Sequence, residues 1–284
     1  MRVYVTGGSG FVGSHLVRAF DDVLAPTHAE VDLTDSAAVA RSVAAFEPDA
    51  IVHAAILNDL GRLYADRRAG WDAYVGATRN VVDAAAGAHV VLVSTDWVFD
   101  GTKGGATEDT PPNPVNLYGF LKAASEVVVI ERAARGAVAR IAGVQGFSRA
   151  PRRQDAGFGY LVSSIVQALR AGERFTVWES PAINMIATPT YAGDAAELIA
   201  RIVAGGHTGI FHCCGGEASD RAALARRTVD AFGLDGDLLA FGPPDAPPEV
   251  RVPYDTSLDA RATAAALGVE LPDLDTMLGR LERS

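Results

Sequence analysis

Tyr118 and Lys122 stand four residues apart in the stretch YGFLK, a spacing that puts both on one face of a helix. An ammonium held one turn from a phenol favours the phenolate, so such a pair makes a proton donor for an oxygen that is gaining negative charge. The chain has seven tyrosines and only two lysines, Lys103 and Lys122, so a chance Tyr-x-x-x-Lys is expected about 0.05 times. The alternative is a surface tyrosine beside a solvated lysine. Upstream, VLVSTDWVFDG (91–101) is an apolar run ending in Ser94, Thr95 and Asp96, where the chain would leave the carboxyl edge of a sheet. Open α/β sheets bind ligands there, although hydroxyls at a strand end also serve simply to cap a turn. At the amino end, TGGSGFVG follows the strand-like RVYVT and opens a helix. Gly7, Gly10 and Gly13 would allow a tight turn and close approach of a pyrophosphate to the helix N-terminus; a turn with no further use is the other reading.

Groups so far apart in sequence need a scaffold that gathers them. Strands are expected at 2–6, 22–25, 49–53, 89–94, 137–141 and 209–213, and helices at about 10–20, 36–46, 72–86, 118–134 and 191–204. This alternation predicts an α/β fold, a Rossmann-type doubly wound parallel sheet with a small C-terminal substrate-binding lobe. The rhythm breaks at Ser148 in SRAPRRQDAGFG and again in GPPDAPPEVRVP (242–253). Residues 1–147 with 183–215 are therefore assigned to the dinucleotide-binding domain, and 148–182 with 216–284 to the lobe. The Gly-, Pro-, Thr- and Asp-rich stretch 100–116 is expected to be a long surface loop with a use.

Length, at 284 residues, suffices for a large core, and no apolar run approaches the ~18 residues of a membrane span. A net charge of −10 argues against a nucleic-acid surface, so an anionic ligand must be held locally. Glycines stand where a signal peptide would need an apolar core, and the two cysteines, Cys213 and Cys214, are adjacent, so a reducing cytoplasm is expected. The six histidines show no metal-ligand spacing, and no metal is expected. Arg149, Arg152 and Arg153 form the densest basic cluster of the candidate lobe; arginine forks suit a diphosphate, while a solvated loop is the other reading.

The Gly-x-x-Gly-x-x-Gly spacing after a threonine, together with YGFLK, resembles the extended branch of the short-chain dehydrogenase/reductase family. VDLTD (31–35), EPDAIVHAA (47–55), STDWVFDG (94–101), PVNLYGFLK (114–122), ATPTYAGD (187–194) and the terminal RVP…SLD…LG (251–268) are similar, in order and approximate spacing, to the dTDP-4-dehydrorhamnose reductases. That resemblance implies NAD(P)H-dependent reduction of the keto group of a 4-keto-6-deoxy sugar nucleotide. It gives Tyr118 the role of proton donor, Lys122 that of lowering its pKa while reaching the nicotinamide ribose, and Thr95 that of bonding the reacting carbonyl. The dinucleotide would be held by Gly7, Gly10, Phe11, Val12, Thr27, His28, Asp32, Leu33, Ala54, Ala55, Tyr118 and Lys122, and the substrate by Asp96, Trp97, Arg149, Arg152 and Arg153. A homodimer through helices 72–86 and 118–134 is implied as well.

An acidic residue about 20 positions past the glycines would bind both ribose hydroxyls and repel a 2′-phosphate. Set against the resembling family, Thr27 and His28 stand there instead, so NADP(H) is expected in preference to NAD(H). Asp32 falls in the next loop, near the adenine in the resembling family, though its spacing also allows a ribose role. Similar nucleotide-sugar 4,6-dehydratases place a glutamate after Thr-Asp; here it is Trp97, whose indole exchanges no proton, which argues against water elimination. Three departures stand on the substrate side: RIAGVQG (140–146) lacks an expected aromatic, AAILNDLGRLYADRRAGWDAY replaces a short acidic stretch, and Tyr74 occupies a position usually held by asparagine. The alternatives are another extended short-chain reductase or epimerase with a different carbonyl substrate, or a non-catalytic dinucleotide-binding regulatory subunit. Loss of the tyrosine or lysine would mark the latter, and both are present.

Overall fold

A computed structural model describes residues 1–57, 60–147 and 153–283. Six parallel strands form the central sheet: β1 (Arg2–Thr6), β2 (Asp22–Leu24), β3 (Ala50–His53), β4 (His89–Thr95), β5 (Gly136–Ile141) and, at the far edge, Gly209–His212. From that edge the order is Gly209–His212, β5, β4, β3, β1, β2, so the chain starts one strand in from the β2 edge, turns back after β2 and then runs strand by strand to the other edge. All six lie within a residue or two of the positions expected from sequence. Every residue of β3 and β4 is buried, because helices cover both faces of the sheet.

Side-chain alternation divides the core. Val3, Val5, Val52, Val91 and Val93 face one side and pack with Leu16 of α1 (Phe11–Arg18) and Ile199 and Ile202 of α8 (Ala192–Gly205). Tyr4, Ile51, Val90 and Leu92 face the other, against α2 (Ser36–Phe46), α5 (Ala77–Ala84) and α6 (Leu117–Arg132). Each fully buried aliphatic side chain contributes about 1.5–3 kcal/mol, so this two-sided core fixes where the strand ends stand. Between β3 and α5 lie two short helices, α3 (Leu60–Ala65) and α4 (Arg67–Trp71), then a π turn over Asp72–Gly76. The regular helix expected over 72–86 is thus broken in its first turns, and such π turns concentrate at functional sites.

α6 starts where Asn116 caps it, its Oδ1 accepting the Gly119 N–H at 2.8 Å while its Nδ2 donates to the Arg251 carbonyl at 3.0 Å. One asparagine thereby sets both the first turn of the helix and the path of the distant 251–258 strap. Residues 100–116 are irregular and lean on that strap through Gly105 N–H to Ser257 Oγ and Ala106 N–H to Ser257 O. A second core joins Phe158, α7 (Leu161–Arg170), α9 (Arg221–Ala231) and the Leu274–Glu282 helix, while Leu267, at the end of the Arg261–Leu267 helix, packs back on the sheet core.

Candidate active site

Beyond the carboxyl ends of β1, β3 and β4 lie two adjoining cavities, each of about 610 Å³. The first runs over the glycine turn. Gly7 has φ +71°, and a Cβ on it would sit 2.7 Å from the Ala55 nitrogen. A Cβ on Gly13 would sit 2.0 Å from the Gly7 oxygen, so helix and turn meet only because both residues are glycine. The Gly10 N-cap offers α1 no side-chain hydrogen bond and the first turn holds no acidic residue, which leaves N–H groups and a positive helix end for an anion. A cradle that a Cβ would fill, ahead of an uncapped helix, fits a dinucleotide pyrophosphate.

Gly7, Gly10, Phe11, Val12, His28, Asp32, Leu33, Ala54, Ala55, Tyr118 and Lys122 all line this cavity. Thr27 does not. Its amide and hydroxyl both donate to Glu30 Oε2, at 2.7 and 2.8 Å, which turns the side chain away from the cavity wall. Asp32 accepts the Thr34 amide and hydroxyl at 2.9 and 2.8 Å, bonds that hold its carboxyl below the usual range and keep it charged at the cavity rim.

The second cavity shares Tyr118 and Tyr160 with the first and adds Thr95, Asp96, Trp97, Tyr64, Tyr74 and Asn184. Thr95 ends β4, and its hydroxyl donates to Asp96 Oδ1 at 3.0 Å. Thr256, in the strap, donates to Asp96 Oδ2 at 2.5 Å. Burial pushes the Asp96 carboxyl up to about 6, against the pull of these hydrogen bonds. Tyr118 stands between two rings, Trp97 at 5.9 Å and Tyr74 at 6.1 Å, both edge-on. The Tyr74 hydroxyl donates to Leu57 O at 3.0 Å, so the aromatic that replaces the expected asparagine braces Tyr118 and ties down the chain after β3.

Lys122 is buried and its ammonium donates to the Val93 carbonyl at 2.5 Å. Burial pulls it down to about 8, with Glu126 acting in the opposite direction. Tyr118 departs from expectation here. Burial pushes its phenol up to about 12, a hydrogen bond with Thr95 lowers it, and Asp96 and Tyr160 add to the rise. The lowering expected from Lys122 is absent because the ammonium is turned to β4. His53, beside it, is held neutral: burial and the Lys122 charge pull the imidazole down to about 3. Its ring links Thr6 Oγ1 at 2.7 Å and Thr78 Oγ1 at 3.1 Å.

Of the three arginines expected to meet the substrate, Arg149 and Arg152 lie outside the described residues, and Arg153 is exposed and lines neither cavity. Tyr160 is the main residue that sequence reasoning missed. It holds a left-handed φ of +62°, packs on Phe11 with ring centroids 5.2 Å apart, and closes the junction of the cavities. Nothing in its local sequence announces this. Thr256 had a signal, because it sits inside the RVP…SLD stretch.

The RmlD substrate binding domain family matches residues 1–282. dTDP-4-dehydrorhamnose reductase of Mycolicibacterium smegmatis is 30% identical over 251 residues, 82% of this chain and 70% of that protein. Methionine adenosyltransferase 2 subunit beta of Rattus norvegicus is 28% identical over 256 residues, 84% of this chain and 74% of that protein. Among solved structures, the Bacillus anthracis dTDP-4-dehydrorhamnose reductase in complex with NADP has a TM-score of 0.85 at 21% identity, covering 99% of this chain and 98% of that one.

Proposed function

The chain belongs to the RmlD substrate binding domain family, and from this premise we propose that it is an NAD(P)H-dependent oxidoreductase reducing the keto group of a 4-keto-6-deoxy sugar nucleotide. The observation that carries the reading is Tyr118, which lines both cavities and so stands where a dinucleotide and a carbonyl substrate meet. NADPH supplies the hydride when bound. Tyr118 then gives its proton to the ketone oxygen as negative charge gathers there, and Thr95 steadies that hydroxyl. Lys122 and Ala55 hold the cofactor's nicotinamide end, while Asp96 and Trp97 contact the sugar. Trp97 exchanges no proton, so the site reduces and does not dehydrate. Residues 1–147 with 183–215 carry the cofactor, and 148–182 with 216–284 form the substrate lobe. Turnover of NADPH across a panel of ketones should favour 4-keto-6-deoxy nucleotide sugars; equal rates on simple ketones would overturn the assignment.

NADPH is preferred over NADH in this reading. The end of β2 carries Thr27 and His28 in place of an acidic ribose ligand, and the Bacillus anthracis relative is a complex with NADP. His28→Asp should shift the ratio of the two dissociation constants toward NADH by about tenfold, because His28 lines the cofactor cavity and a carboxylate there repels a 2′-phosphate. Fluorescence titration of both reduced cofactors checks this, and tighter binding of NADH by the unaltered protein would refute it.

A homodimer is proposed through α6 and its neighbours, where Phe120 and Val127 are 51% and 60% exposed on one helix. No helix among the described residues is long and apolar enough to cross a membrane, and a cytoplasmic location is proposed.

A further inference from the structure

Two successive residues of β4 are gripped by two residues on one face of α6: Lys122 Nζ donates to the Val93 carbonyl at 2.5 Å, and Ser94 Oγ donates to Glu126 Oε1 at 2.5 Å. Glu126 lies one helical turn beyond Lys122 and is equally buried. Its carboxylate also receives a fork from Arg140 of β5, Nε to Oε1 at 3.0 Å and Nη2 to Oε2 at 2.8 Å. Arg140 is itself fully buried, with Phe99 under its guanidinium at 5.0 Å and His212 Nε2 3.5 Å from Nη1. Glu126 lines neither cavity, so it touches no reactant directly.

The other groups around Lys122 cannot do what this carboxylate does. His53 on β3 is neutral, Val93 and Ser94 on β4 carry no charge, Tyr74 on the π turn is a protonated phenol, and Asp96 lies beyond Tyr118. Taking an ammonium out of water is costly unless an opposite charge faces it. We propose that Glu126 is a positioning residue for the reaction: its carboxylate keeps the buried Lys122 ammonium charged, and Arg140, by sharing that carboxylate, limits how strongly it does so. The inference rests on the reading above only in that a charged Lys122 is what the reaction needs. A carboxylate fully neutralised by Arg140 alone would be structural and leave Lys122 indifferent to it.

Because the chain has only two lysines, the test is direct. Protein labelled with ¹³C-lysine gives two Cε signals whose pH titration needs no cofactor, Lys103 serving as the internal control. In the unaltered protein the Lys122 signal should titrate near 8. Glu126→Gln should lower that midpoint by at least about one pH unit, a tenfold change in the charged-to-neutral ratio. Since that variant strands a buried arginine, the double variant Glu126→Gln with Arg140→Met provides a charge-balanced second case and should move the same way. Arg140→Met alone should move the midpoint upward. The alkaline limb of kcat/KM should follow each shift. Coincidence of the Lys122 titration with that of the unaltered protein in both Glu126 variants would overturn the proposal, as would movement of Arg140→Met in their direction. An unaltered protein with no turnover but with these shifts would refute the proposed function and leave the inference standing.

Discussion

Tyr118→Phe should lower kcat by about 10²- to 10⁴-fold while leaving NADPH affinity within a few-fold. The variant keeps the ring between Trp97 and Tyr74, so the walls of both cavities stay in place. Only the hydroxyl is lost, and with it the proton that neutralises the oxygen when hydride arrives. Burial pushes its pKa up to about 12, so the phenol holds its proton until the oxygen gathers charge, and it serves as an acid, not as a phenolate. Stopped-flow turnover beside cofactor titration checks the split. A variant with near normal kcat would mean that another group, Asp96 being nearest at about 6, delivers the proton.

Gly13→Ala should weaken dinucleotide binding by about 10- to 100-fold, the equivalent of 1–3 kcal/mol of overpacking. The methyl would lie 2.0 Å from the Gly7 oxygen and 3.0 Å from Gly8 Cα, both backbone atoms that move only with the whole turn. Gly10→Ala is the control. Its methyl would meet only the Gly7 oxygen, at 3.1 Å, which small adjustments relieve, so its effect should be several-fold smaller. Equal affinities for the two variants would show that the turn does not set the pyrophosphate's approach.

What was legible in the sequence follows from which signals are local. The strands of the sheet carry runs such as AIVH and HVVLVST, whose β-branched character and burial on both faces leave one reading. The glycine turn and the Tyr118–Lys122 spacing were equally legible, since each depends on residues within one turn. Failures came where distant or irregular contacts decide. Thr27 takes a cofactor role from the resembling family's pattern, but a turn returns Glu30 to it and takes its hydroxyl. The π turn at Asp72–Gly76 shares the apolar pattern of an α-helix and differs only in its hydrogen-bond register. Tyr160 reaches the site, and Arg140 reaches Glu126, only through the fold. Glu126 was visible as the fourth residue after Lys122, yet without Arg140 beside it the sequence offered no reason to single it out.

The most direct test of the account is whether hydride leaves the nicotinamide for the sugar. Protein incubated with C4-deuterated NADPH and a dTDP-4-keto-6-deoxy sugar should place one deuterium on carbon 4 of the product, seen by mass spectrometry and NMR, and Tyr118→Phe should slow that transfer without redirecting it. Cofactor that binds the unaltered protein tightly yet passes no deuterium to the sugar would contradict the account, and would favour the reading of a non-catalytic dinucleotide-binding subunit.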